Sequence, residues 1–90
     1  MNEINEKLKQ SCQEAVEAMQ KLNSEELTEI QSKLEWCIGS YEFDKNPAGL
    51  HEMGLKSLDM LKVIKQKQPR KVNKKVIDGL EKSIKFYSQN

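Results

Sequence analysis

Cys12, Cys37 and His51 are the side chains in this 90-residue sequence whose chemistry is most versatile: two thiols and the one imidazole. Together they could make a redox pair, or three ligands to a metal. An antiparallel helix pair folded near Asn23 puts Cys12 about eleven residues before the turn and Cys37 about fourteen after it, so their heights differ by only about 4–5 Å. Both thiols also fall on apolar stripes. That position predicts two buried cysteines acting as small hydrophobes. A disulfide or redox pair is the alternative. A metal site with His51 lacks the CxxC-type spacing that marks zinc centres, so no metal and no cofactor is expected. No glycine-rich phosphate loop and no nucleophile elbow is present. The acidic residues sit on polar helix faces, where a solvated carboxylate has no cause to shift towards neutrality. The expectation is a protein that is not an enzyme.

A second group could bind phosphate. Lys65, Lys67, Arg70, Lys71, Lys74 and Lys75 crowd one junction. Six cations there could hold several phosphates in a salt-sensitive way, aided by backbone donors at a following helix start. The run has no interleaved aromatic for base stacking. The simpler reading is a solvated linker that complements the acidic half of the chain. Residues 1–45 carry five Lys and ten acids, net −5, whereas residues 46–90 carry ten Lys or Arg and four acids, net +6.

A third feature concerns recognition. Trp36, the one tryptophan, lies about 180° around its helix from Leu27, among Glu25, Glu29, Ser32, Lys33 and Ser40. A large aromatic on a polar face either packs under a loop or meets a partner. Leu55, Val63 and Phe86 also fall off their stripes, and Phe43 is expected in a loop. Trp36, Tyr41, Phe43 and Leu55 are the candidate partner-binding residues. A protein partner or a homodimer is the favoured occupant, and nucleic acid is the alternative. A purely structural role, with Trp36 packed beneath the 42–50 loop, is the third reading. The run from Trp36 to Leu50 is distinctive enough to mark a shaped corner of the molecule.

Four amphipathic helices must position these residues. Ile4, Leu8, Cys12, Ala15, Met19 and Leu22 make a helical stripe over 2–22. Asn23 reads as the N-cap of a second helix, over 24–41, with Glu26 three residues on and Leu22 and Leu27 as a hydrophobic staple. Leu27, Ile30, Leu34, Cys37 and Tyr41 form its stripe. Residues 42–47 read as the longest loop. Asn46 followed by Pro47 then marks a strong start for a helix over 47–67, with Gly54 on its apolar face where another helix can approach. Pro69 ends that helix. Asn73 caps the last, over 74–88, with Val72 and Ile77 as its staple. Acid-to-lysine pairs at i,i+4, such as Glu29–Lys33, Glu52–Lys56, Asp78–Lys82 and Glu81–Lys85, support the exposed faces by about 0.2–0.5 kcal/mol each.

Nothing alternates with period two, so no strand is expected. Ninety residues make one domain. Helical periods with short links predict an all-α, compact, antiparallel (up-down) four-helix bundle; a long hairpin that dimerises is the competing architecture. No apolar run is long enough for a membrane span or signal-peptide core, and a cytoplasmic location follows as the default.

Overall fold

The apolar stripes form four helices of nearly equal length in the computed structural model, which describes residues 3–89. They are α1 (Glu3–Leu22), α2 (Glu25–Asp44), α3 (Ala48–Lys67) and α4 (Lys74–Gln89). The expected start of the first helix at Asn2 lies outside the described residues. No strand occurs among those described. Each helix packs antiparallel on its sequence neighbour, and α1 also lies against α4, closing the expected up-down four-helix bundle. In addition α1 reaches across to α3, while α2 and α4 do not meet among the described residues. The cross-section is therefore a rhombus whose short diagonal is α1–α3, which agrees with the flattened extents of 37 × 23 × 15 Å. α2 and α4 occupy its sharp corners, where a helix keeps one side free of its own chain.

Local chemistry sets the ends of the helices. The Asn46 side-chain oxygen accepts from the Ala48 N–H (3.1 Å), and Pro47 is already in helical geometry. Asn73 does the same for the Lys75 N–H at 2.8 Å. Both asparagines thus satisfy a donor that the first turn leaves without an intrahelical partner. Asn23 does otherwise. It has φ 48° and donates its backbone N–H to the Met19 carbonyl, so it closes α1. Ser24, in extended geometry, is the N-cap of α2. Asparagine tolerates the left-handed region almost as well as glycine, which is why it can end a helix as readily as begin one.

The second helix also runs one turn further than its stripe implies. Lys45, at φ 60°, ends it with its N–H on the Tyr41 carbonyl. Residues 42–44 are therefore helical, and Phe43 stands on a helix rather than in a loop. Of the expected surface pairs, Glu29–Lys33 (2.9 Å), Glu81–Lys85 (3.5 Å) and Glu52–Lys56 (4.0 Å) close. Glu81 also reaches Lys62 of α3 at 2.8 Å.

The core runs the length of the rhombus. Leu8, Cys12, Ala15 and Met19 of α1 meet Leu27 and Leu34 of α2, Leu50 and Leu61 of α3, and Leu80 of α4. Small residues set the closest approaches. The hydroxyls of Ser11 and Ser83 lie 2.7 Å apart across α1–α4. Gly54 faces Cys12 and α4. A Cβ there would lie 3.5 Å from Cys12 Sγ, 3.6 Å from Ile84 Cδ1 and 3.7 Å from Leu80 Cδ1, which is ordinary contact. Gly54→Ala is therefore expected to stabilise the bundle by about 0.5–1 kcal/mol through helix propensity. Gly54→Leu should overpack the seam and cost about 1–3 kcal/mol. Urea midpoints of the two variants check the opposite signs.

Candidate functional site

The outward side of α2 gathers what the other helices scatter. Trp36 is 73% exposed and Phe43 is 92% exposed. They are seven residues apart, which on a helix is about 10 Å along the axis and within about 20° around it. Both rings thus project from one face, two turns apart. Between them on that face stand Gly39 and Ser40. Among the described residues, a Cβ on Gly39 would find nothing within 4 Å beyond its own stretch of helix, so the packing of the bundle does not require the missing side chain. A glycine inside a helix costs about 1 kcal/mol against alanine, and here no packing within the chain offsets it.

The opposite side of α2 explains why these rings stay outside. Leu27, Ile30, Leu34 and Tyr41 are buried and use up the helix's contact with α1 and α3. Its flanks are occupied by pairs to neighbouring helices. Gln20 of α1 donates to the Glu35 carboxylate at 3.1 Å, and Lys9 pairs with Glu42 at 3.5 Å. On the other flank Cys37 lies against Gly49 of α3, whose added Cβ would come within 3.1 Å of the sulfur.

Tyr41 leaves the set of partner-binding candidates. Its ring is 3% exposed and its hydroxyl donates to the Glu6 carboxylate, joining α1 to α2. The stripe that carries Leu34 also carries Tyr41, so the residue belongs to the interior. Nor does Trp36 pack beneath the 42–50 segment, because that segment is largely helix and the indole is open to water. Leu55, 40% exposed, lies on α3. Its helical angle puts it beside His51 and Lys62, whose partners Ser88 and Glu81 belong to α4. It is not part of the α2 face. Val63 and Phe86 stand on α3 and α4.

The basic junction does not form one site. Lys65 donates its ammonium to the carbonyls of Pro69 (3.2 Å) and Val72 (3.0 Å), so it holds the α3–α4 turn together. Lys74 shares a groove with Lys65, Asp78 and Glu81. Lys71 and Lys75 turn the other way, into a hollow lined by Glu14 and Glu17 of α1. Lys67 and Arg70 are exposed at the turn. Carboxylates thus share hollows with four of the six cations, but only Lys71 and Lys75 meet acids of residues 1–45, as the complementation of the acidic half requires; Lys65 and Lys74 meet Asp78 and Glu81 of their own half.

Both cysteines are free thiols. Cys12 donates to the Leu50 carbonyl at 3.7 Å, and burial, with the neighbouring Cys37 thiol adding to it, pushes its pKa up to about 12. Burial likewise raises Cys37. His51 stands apart, its Nε2 3.1 Å from Ser88 Oγ and its ring 4.8 Å from that of Tyr87. Among the described residues no three His, Cys, Asp or Glu side chains converge on a point that could hold a metal. None of the helices described is long and apolar enough to cross a membrane.

Periodicity alone flagged Trp36. It placed Ser40 on the same face but missed the contribution of Phe43 and Gly39, because a helix over 24–41 leaves Phe43 in a loop. The signal was nevertheless present, in the seven-residue spacing of two large aromatics around two small residues. No family model, curated protein or solved structure matches this chain.

Proposed function

We propose that this chain is a non-enzymatic protein-docking module of the cytoplasm, and that its contact surface is the outward face of α2 centred on Trp36 and Phe43. The observation that carries this reading is the pairing, on one helical face, of the two most exposed large hydrophobics among the described residues. Tryptophan is over-represented among the residues that dominate binding energy, and exposed apolar patches rimmed by polar groups mark contact sites. The rim is supplied by Glu29, Ser32, Lys33 and Asp44. Two free thiols in so small a chain fit a reducing compartment.

Photo-crosslinking tests the reading. A benzophenone side chain at Phe43 should give one discrete adduct in cells, and the same group at exposed Lys56 on α3 should not. Trp36→Ala should lower the Phe43 adduct about tenfold or more, as expected for loss of an aromatic anchor. Equal, diffuse labelling from both positions would overturn the proposal.

A further inference from the structure

The occupant of this face can be named from its own symmetry, an inference that rests on the docking reading above. We infer that a second copy of the chain docks there, α2 against α2 in antiparallel orientation, about a two-fold axis between Gly39 and Ser40. Trp36 and Phe43 are three and a half positions either side of that point. In an antiparallel pair centred there, residue i of one helix lies level with residue 79 − i of the other. Trp36 of each copy then sits beside Phe43 of the second copy, and Gly39 lies level with Ser40. A two-fold contact requires this kind of reciprocity: the same patch must serve as both halves.

Size and shape fit at the crossing. The two small residues let the helix axes approach to about 8 Å, the close end of helix packing. The rings on either side then close over the crossing, and aromatic pairs favour tilted or offset contact at about 4.5–7 Å. Gly39 gains a purpose that its own bundle does not supply, since among the described residues nothing beyond its own stretch of helix lies within 4 Å of the missing Cβ.

Charge fits as well, despite the acidity of α2. Glu29 lies about 20° from the Trp36 direction, but it is level with residue 50 of the second copy, beyond the end of that copy's α2, and it pairs with Lys33 at 2.9 Å. Across residues 30–44 no acid lies within about 60° of the Trp36 direction, by the helical turn angle. Glu35 and Glu42 lie about 100–120° round on the α1 side, by the same turn angle, and are held by Gln20 and Lys9. On the opposite flank Lys33 and Asp44 lie about 60° and 80° from Trp36. The two-fold axis brings each flank against its own counterpart. Lys33, which already pairs with Glu29 of its own chain at 2.9 Å, thus comes within about 3 Å, along the axis, of the height of Asp44 in the other copy, where its ammonium can bridge both carboxylates. Two such pairs form, one at each end.

The area sets the strength. A fully exposed aromatic side chain presents roughly 150–250 Å². Four rings at the observed exposures supply on the order of 700 Å², and the flanks bring the total near the lower limit of about 1,200 Å² for specific complexes. The expected dimer is reversible, with a Kd on the order of 10 µM.

Sedimentation from about 5 to about 500 µM brackets the affinity expected of so small an interface and should show a monomer–dimer equilibrium. Ser40→Arg, which puts bulk and like charge at the axis, should weaken it at least tenfold. Lys33→Glu and Asp44→Lys should each weaken it several-fold, and the double exchange should restore it. In a Cys37→Ala background, Ser40→Cys should form a disulfide-linked dimer on mild oxidation, and Lys56→Cys should not. A chain that stays monomeric throughout sinks the self-pairing. If Phe43 still gives a discrete adduct with a different protein, the docking reading survives that failure. A dimer indifferent to Ser40→Arg and to the charge exchange would place the contact elsewhere and overturn the inference.

Discussion

Tyr41→Ala is expected to lower the stability of the bundle by about 3–5 kcal/mol, the range for removing a buried aromatic ring. The ring is 3% exposed at the end of α2, where it fills the space against α1 and carries the Lys45 ammonium 5.3 Å from its centre. The alanine variant loses that packing and the bond to Glu6 together. Tyr41→Phe separates the two losses, since it keeps the ring and deletes only the hydroxyl. Its effect should be smaller and should depend on pH at both extremes.

The signs follow from the two groups. Burial first, then the hydrogen bond to Glu6, holds the Tyr41 hydroxyl protonated from its ordinary 10.0 up to about 12. Its contribution is complete below pH 10 and is lost as pH rises towards about 12. The same hydrogen bond, assisted by Lys9 and Lys45, holds the Glu6 carboxyl below its ordinary 4.5. Its contribution is complete above that value and is lost as pH falls through the lowered one. Chemical denaturation of the parent chain should therefore weaken in both directions from neutrality. Tyr41→Phe should remove the part of the alkaline loss between pH 10 and 12 and flatten the acid limb. Parent and phenylalanine curves that stay parallel from pH 7 to pH 12 would show that the hydroxyl contributes nothing specific.

Leu61→Ala should have an effect of similar size, about 3–5 kcal/mol. Leu61 is fully buried on α3, which lies on the short diagonal and touches all three other helices. A cavity at such a place is lined from several sides, and no single helix can shift to fill it. A domain of this length has a total stability of about 5–13 kcal/mol, so the variant loses roughly a quarter of it or more. At roughly 4–8 °C per kcal/mol, its thermal midpoint should fall by about 12–40 °C. Leu55→Ala, on the same helix but 40% exposed, should stay within about 0.5–1 kcal/mol of the parent. Melting curves followed by circular dichroism distinguish the two. Equal shifts would contradict the rhombic packing.

Helix number, helix type and the caps at Asn46 and Asn73 were legible because each depends on residues within a few positions of one another. The period of Leu27, Ile30 and Leu34 could not be mistaken for that of a strand. Asn23 misled because one side chain suits both ends of a helix, and its backbone angle was the deciding fact. The end of α2 was hidden because Lys45 adopts a left-handed geometry usually marked by glycine, whereas Gly39 sits mid-helix. Tyr41 stands in the sequence both on the apolar stripe of α2 and among the partner-binding candidates; the stripe prevails, and only the partner of its hydroxyl, Glu6, thirty-five residues away, was illegible. The division of the basic cluster was equally invisible. Lys71 and Lys75 face Glu14 and Glu17 only after α1 and α4 have come together.

The protonated state of Cys12 has a practical corollary. Burial pushes its pKa up to about 12, so at pH 7 the sulfur stays protonated, and it is the thiolate that oxidants and alkylating reagents attack. The closed molecule is in effect chemically silent at that sulfur. Any reaction there must wait until α1 and α3 part, so the rate of labelling in native conditions becomes a stopwatch for how often the molecule breathes.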